Sequence, residues 1–140
     1  MAYATRADMA SRFGDNELIM LTDRDRLGLI DNVVLDQALL DASAEIDGWV
    51  ASRYSLPLAN VPRVLVGACC DIARYRLAGN DVNESSIILR RFEDAQKLLK
   101  AISRGEVSFG LPSTQTPVTR DDVHIVGGVR VFSRDTLSDY

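Results

Sequence analysis

The stretch from Val33 to Tyr54, VVLDQALLDASAEIDGWVASRY, constrains the fold of this chain more than any other. Leu35, Leu39, Ala42, Ile46, Trp49 or Val50, and Tyr54 recur every three to four residues, which lays them along one stripe of a helix. Asp36, Asp41, Glu45 and Asp47 fall mostly off that stripe, toward water or a partner. At 1.5 Å per residue the helix is roughly 30 Å long, about the width of a small domain. Its apolar stripe needs covering, so the spacing predicts a central helix against which the others pack. It is too charged to span a membrane, and nothing in it has the look of a catalytic site.

The segments on either side read as further helices. Thr5 followed by Asp8 has the spacing of a capping box, with Asp in place of the usual Glu or Gln. It predicts a short helix ending near Gly14, with Met9, Ala10 and Phe13 on its apolar edge. Asp15-Asn16 is read as the cap of a second turn, Glu17 to Leu21, whose Leu18, Ile19 and Leu21 face inward. After Tyr54, SLPLANVP forms a linker, since Pro57 and Pro62 forbid helix continuation; Leu56, Leu58 and Val61 are set to lie across the core. Pro62 suits the first turn of the next helix, with Asn60 as its cap. That helix, Arg63 to Leu77, carries Val64, Leu65, Ala68, Ile72, and Tyr75 or Leu77, and is apolar nearly all round, which marks it as the most buried. Gly67, Ala68 and Cys69 are small enough for a neighbour to approach closely, and Asp71 stands at ion-pair spacing from Arg74. Gly79 ends it. Asn83, with Ser86 nearby, opens a last long helix from Glu84 to Arg104, striped by Ile87, Ile88, Phe92, Ala95, Leu98 or Leu99, and Ile102. Glu93 and Lys97 form an i,i+4 pair in the favourable order, and Gly105 stops the helix.

Between Asp23 and Val34 lies DRDRLGLIDNVV, which resembles the start of an EF-hand calcium loop. Asp23, Asp25, Gly28 and Asp31 fit positions 1, 3, 6 and 9, and Ile30 fits the apolar position 8. Position 5 is Leu27, which offers no side-chain oxygen, and position 12 is Val34 where calcium needs a bidentate Glu. The segment therefore reads as a Gly-containing turn whose Asp31-Asn32 caps the central helix.

Other chemistry is just as sparse. The single His, His124, has no recognisable nucleophile motif beside it, and no Walker loop, dinucleotide glycines or HExxH is present. Cys69 and Cys70 are neighbours on a helix, a poor geometry for pairing, and read as two small buried hydrophobes. The first residues, MAYATRADMASRFG, lack the basic start and apolar core of an export signal, so nothing here directs export. No enzyme, cofactor or metal is expected. Charge, by contrast, is unevenly placed within the net −4. From Asp15 to Asp47 nine acids stand against two bases, whereas from Gly48 to Leu111 nine bases stand against six acids. Such a chain has an acidic part and a basic part that can attract copies of itself head to side. No basic run suggests sequence-specific nucleic-acid binding.

MAYATRADMASRFG, ELIMLTDRD, LDQALLDASAEIDGWVASRYSLPLANVP, DIARYRL and VFSRDTLSDY together resemble the Mu-like phage virion protein encoded beside the major head protein, over almost the whole chain and in order. That family is similar to the head–tail connector, or adaptor, proteins of tailed phages. The resemblance implies a small helical protein, made in the host cytoplasm and resident in the virion neck, with no catalytic residues. It implies self-assembly into a ring, commonly of twelve copies, between the portal protein and a tail-proximal neck or tail terminator protein. DNA would pass through the ring without specific recognition, and an acidic wall would repel its phosphates. Asp36, Asp41 and Glu45 are the expected channel or subunit-interface acids. The alternative is a helical regulatory or scaffolding module with a single protein partner.

The expected architecture is all-α: three main helices and a short N-terminal helical segment within residues 1–111, then a tail, 112–140, of different character. HIVGGVRVF in that tail is two β-favouring runs around Gly127-Gly128, a hairpin signal. Its apolar side chains need covering, either on the chain's own helices or, as preferred here, on another subunit or the portal. Val129, Val131 and Phe132 are the expected anchors, with Arg134 and Asp135 at the rim.

Overall fold

A computed structural model describes residues 2–79 and 86–111 of the chain. Among them are five helices and no strand: α1 (Arg6–Phe13), α2 (Asp15–Thr22), α3 (Asn32–Val50), α4 (Arg63–Ala78) and α5 (Ile87–Arg104). The expected all-α bundle is what forms, with α3, α4 and α5 as its three main members. The tail, and with it the hairpin expected around Gly127-Gly128, lies outside the described residues.

Local chemistry sets most of the helix limits. Thr5 and Asp8 make both bonds of the capping box, and Gly14 closes α1 by donating its amide to the Ala10 carbonyl. Asp31 caps α3 through its carboxylate, which accepts the Val33 and Val34 amides at 2.9 and 3.2 Å. Gly105, in the left-handed region at φ 80°, ends α5, and the amides of Gly105 and Glu106 return to the last-turn carbonyls.

Four limits differ from the sequence reading. Asp15 is the first residue of α2 and does not cap it; Gly14 holds the cap position without a side-chain bond. The central helix stops at Val50, four residues early, although Tyr54 stays buried because a turn carries it back onto the core. At the start of α4 the cap position is Pro62, not Asn60, and its carbonyl accepts from Leu65 at 2.9 Å. Ser86 caps α5, so that helix opens at Ile87; the expected opening at Asn83 and Glu84 lies outside the described residues.

The central helix packs on α4 and α5, and α4 on α5, while α1 and α2 lie against α4. Leu35, Leu39, Ala42, Ile46 and Val50 are buried on one side of α3, so the stripe turns toward Val50, and Trp49 only flanks the core. Leu65, Cys69, Cys70, Ile72 and Ala73 from α4 are fully buried, in keeping with its nearly continuous apolar surface. Ala95, Leu99 and Ile102 of α5 complete the core, with Leu98 half-buried beside it. Tyr75 stacks on Phe92, ring centroids 4.0 Å apart and 12° from parallel, joining α4 to α5. Among the described residues no helix is long and apolar enough to cross a membrane.

Two expected ion pairs re-form with other partners. Arg74 reaches Glu17 of α2 (Nη2–Oε1 2.5 Å) and lies over the Phe13 ring at 4.4 Å, leaving Asp71 to face Arg91 of α5 at 3.9 Å. Lys97 pairs with Asp94 at 3.4 Å, not with Glu93.

Candidate interaction surface

The loop between α2 and α3 is fastened at both ends by polar groups. Thr22, fully buried, donates its hydroxyl to the Leu18 carbonyl (2.7 Å) and accepts the Asp31 amide (3.1 Å). Asp23 accepts the Leu27 amide on one carboxylate oxygen (2.9 Å) and the Gly28 amide on the other (2.6 Å). Both oxygens that a first calcium position would offer therefore hold the turn instead. Among the described residues no group of three or more His, Cys, Asp or Glu could hold a metal ion. Within the turn Arg26 sits at φ 56°, a left-handed conformation that costs a residue with a side chain on the order of 1 kcal/mol.

Beside the exposed Arg24, Asp25 and Arg26, this loop and the helix ends that flank it present large apolar side chains to water. Met20 is 86% exposed, Leu27 73%, Leu29 70% and Val33 79%. Only Ile30 turns in to meet the core. Fully burying one such side chain is worth about 1.5–3 kcal/mol, so a partner covering two of them gains several. Four large apolar groups on 14 consecutive positions, held out by ordered polar contacts, form a surface fit for docking.

The acids named from the sequence lie on α3, and two of the three are already engaged within the chain. Asp36 takes the guanidinium of Arg6 on both oxygens, and those bonds hold its carboxyl below the usual range. Glu45 accepts Arg76 Nη2 of α4 at 2.6 Å and also the side-chain amide of Gln96 of α5, so a single carboxylate joins three helices. Asp41 accepts from Gln37 at 2.9 Å, meets no base among the described residues, and remains exposed. Val129, Val131, Phe132, Arg134 and Asp135 lie outside the described residues.

A second surface was not anticipated. An open groove of about 390 Å³ runs among α1, α4 and α5, lined by Arg12, Arg63, Val64, Asp71, Arg91 and Leu98 among others. The missing side chain of Gly67 makes room there, since a Cβ at that position would touch the Arg12 guanidinium at 3.5 Å. Burial raises the Asp71 carboxyl, and Arg91 offsets only part of that. Arg12 and Arg63 reach no carboxylate at ion-pair distance among the described residues. The cysteines are far from reactive: both are fully buried, and burial pushes the Cys70 thiol up to about 12.

The exposed leucines did have a signal in the sequence. Leu27 stands where a calcium loop needs an oxygen, and that departure counts against metal and for an apolar contact. The groove had none, because its walls come from three segments far apart in the chain.

A family model described as "Bacteriophage Mu, Gp36" matches residues 3–126. The chain belongs to this family. It is 35% identical over 137 residues to gene product J of Escherichia phage Mu, covering 96% of each chain. To the Mu-like prophage FluMu protein gp36 of Haemophilus influenzae it is 32% identical over 120 residues, covering 86% of this chain and 84% of the relative. The Gp36 match takes in all five helices, the apolar loop and the groove, so both surfaces belong to the family's common region. The tail residues from Val129 to Asp135 lie beyond it.

Proposed function

We propose that this Gp36-family chain is a structural subunit of a phage head–tail connector, assembling as a ring beneath the portal that joins capsid to tail and lets DNA pass. The observation that carries the reading is the α2–α3 connection, an ordered turn exposing Leu27 and Leu29 between helix ends that expose Met20 and Val33. Exposed apolar side chains on a rigid support suit a protein whose work is contact with other proteins, and membership of the Mu Gp36 family supports a phage setting for that work. The ring, the portal and the neck position come from the likeness to adaptor proteins.

In this reading the ring's mechanism is geometric and electrostatic. Acids of α3 face the channel or a neighbouring subunit, where negative charge repels the phosphates of passing DNA. Asp41 is the best placed of the three, because Asp36 and Glu45 already satisfy basic groups of their own chain. The tail then serves as an arm, with Val129, Val131 and Phe132 buried on a neighbour or on the portal and Arg134 and Asp135 at the rim.

The test is to mix the purified chain with the phage's portal ring and reconstruct the product by electron cryo-microscopy. A second ring stacked on the portal is the expected result. A single copy or a dimer bound to some other protein, with the portal left bare, would replace the connector with a one-partner scaffolding module.

A further inference from the structure

We propose that copies of this chain join head to side, the α2–α3 loop of one copy entering the α1–α4–α5 groove of the next. The inference rests on the connector reading for the ring and adds the contact that would build it. The two surfaces complement each other in shape and apolar character. Leu27 and Leu29 flank Gly28 at the tip of the loop, where nothing lies within 4 Å of the position a Cβ would take, so the tip is slim. The groove offers Val64, 45% exposed, and the half-buried Leu98 as apolar floor.

Charge agrees with shape. From Asp15 to Asp31, five acids stand against two bases, and Asp25 has no cation at ion-pair distance among the described residues. The groove lining carries Arg12, Arg63 and Arg91 against Asp71 and Asp94. Neither Arg12 nor Arg63 is within ion-pair distance of a carboxylate among the described residues, although both lie near enough to Asp8 to lower its pKa. The neighbour's Asp25 supplies the close partner. Loop and groove share no residue. A contact between two different patches is heterologous: an open run of copies keeps one loop and one groove free at its ends, and it closes into the ring of the connector reading where the rotation between neighbours brings those ends together.

The experiment uses full-length chains carrying single cysteines, Leu27→Cys in one and Val64→Cys in the other, with a short bis-maleimide. Wild-type chain is the blank, since Cys69 and Cys70 are fully buried. At low salt the mixture should give cross-linked dimers, whereas either variant alone should give none. Sedimentation should show Arg63→Glu weakening self-association about tenfold, as should added salt, which screens exposed charges beyond about 10 Å at 0.1 M. Oligomers without the mixed cross-link overturn the loop-in-groove contact. So does a chain that stays monomeric at high concentration and low salt, or one that binds the portal as a ring with Leu27 and Val64 uncrosslinked; the connector reading survives that last result. A mixed cross-link with no portal binding supports the contact and sinks the connector.

Discussion

Replacing Ile46 by Ala tests the packing of α3 most directly. Ile46 is fully buried midway along a helix that packs on both α4 and α5, with little room for its neighbours to move in. The substitution removes three carbons, or about 2.4 kcal/mol at roughly 0.8 kcal/mol each. A residual cavity of roughly 50 Å³ adds about 1 kcal/mol at 24 cal/mol per Å³. The expected loss is therefore about 3–4 kcal/mol, read as a urea midpoint lowered by about 1–4 M, given typical slopes for small proteins. Trp49 is the control. It is larger but only flanks the core, so Trp49→Ala should cost less, on the order of 1–2 kcal/mol. Asp41→Ala, on the exposed face, should change the midpoint hardly at all. If Ile46→Ala costs under about 0.5 kcal/mol, or Trp49→Ala costs more than Ile46→Ala, the inward face of α3 has been assigned wrongly.

Millimolar calcium should leave the melting temperature and the Trp49 fluorescence unchanged, because Asp23 holds backbone amides with both oxygens; a saturable micromolar isotherm would refute this. Thr5→Ala should cost about 1 kcal/mol by removing the α1 cap. The Thr5 hydroxyl, and then the Thr5 amide, lower the Asp8 pKa from its ordinary 3.8. The Asp8 carboxylate's share of the cap is thus complete above that value and is lost as pH falls through the lowered one. In acid titrations the gap between wild type and Thr5→Ala should narrow there, leaving the part due to the Asp8 amide bonded to the Thr5 hydroxyl. Deleting residues 113–140 should leave the far-ultraviolet helical signal and most of the thermal stability intact while abolishing the portal binding proposed above. Collapse of the helices would show that the tail belongs to the core.

The sequence makes short-range features readable and long-range ones not. Thr5 with Asp8, Asp31 before the central helix, Gly79 and Gly105 act on backbone groups a few residues away, so spacing alone exposes them. The stripe of α3 was equally plain, apart from the choice between Trp49 and Val50, which two adjacent positions cannot settle without knowing where the neighbours sit. Asp71 and Arg74 have suitable helical spacing, yet Arg74 turns to Glu17, 57 residues away, because α2 lies beside it and the Phe13 ring receives its guanidinium. Glu45 meets Arg76 and Gln96 across 31 and 51 residues, beyond the reach of periodicity. Of the docking surface, the loop could be glimpsed through Leu27, while the groove exists only once α1, α4 and α5 come together.

Tyr3 lies buried against α3, its amide donated to the Ser43 hydroxyl at 3.1 Å and its phenol to Asp47 at 2.5 Å. Those partners are encoded 40 and 44 residues later. On a ribosome adding about 5–20 residues per second, Tyr3 and the Ala4 beside it leave the exit tunnel roughly 2–8 s before their seat exists. The earliest part of this segment to be synthesised is thus obliged to wait for the middle. During that interval its apolar groups are open to chaperones or to other nascent chains, and docking of this segment onto α3 belongs late in the order of assembly.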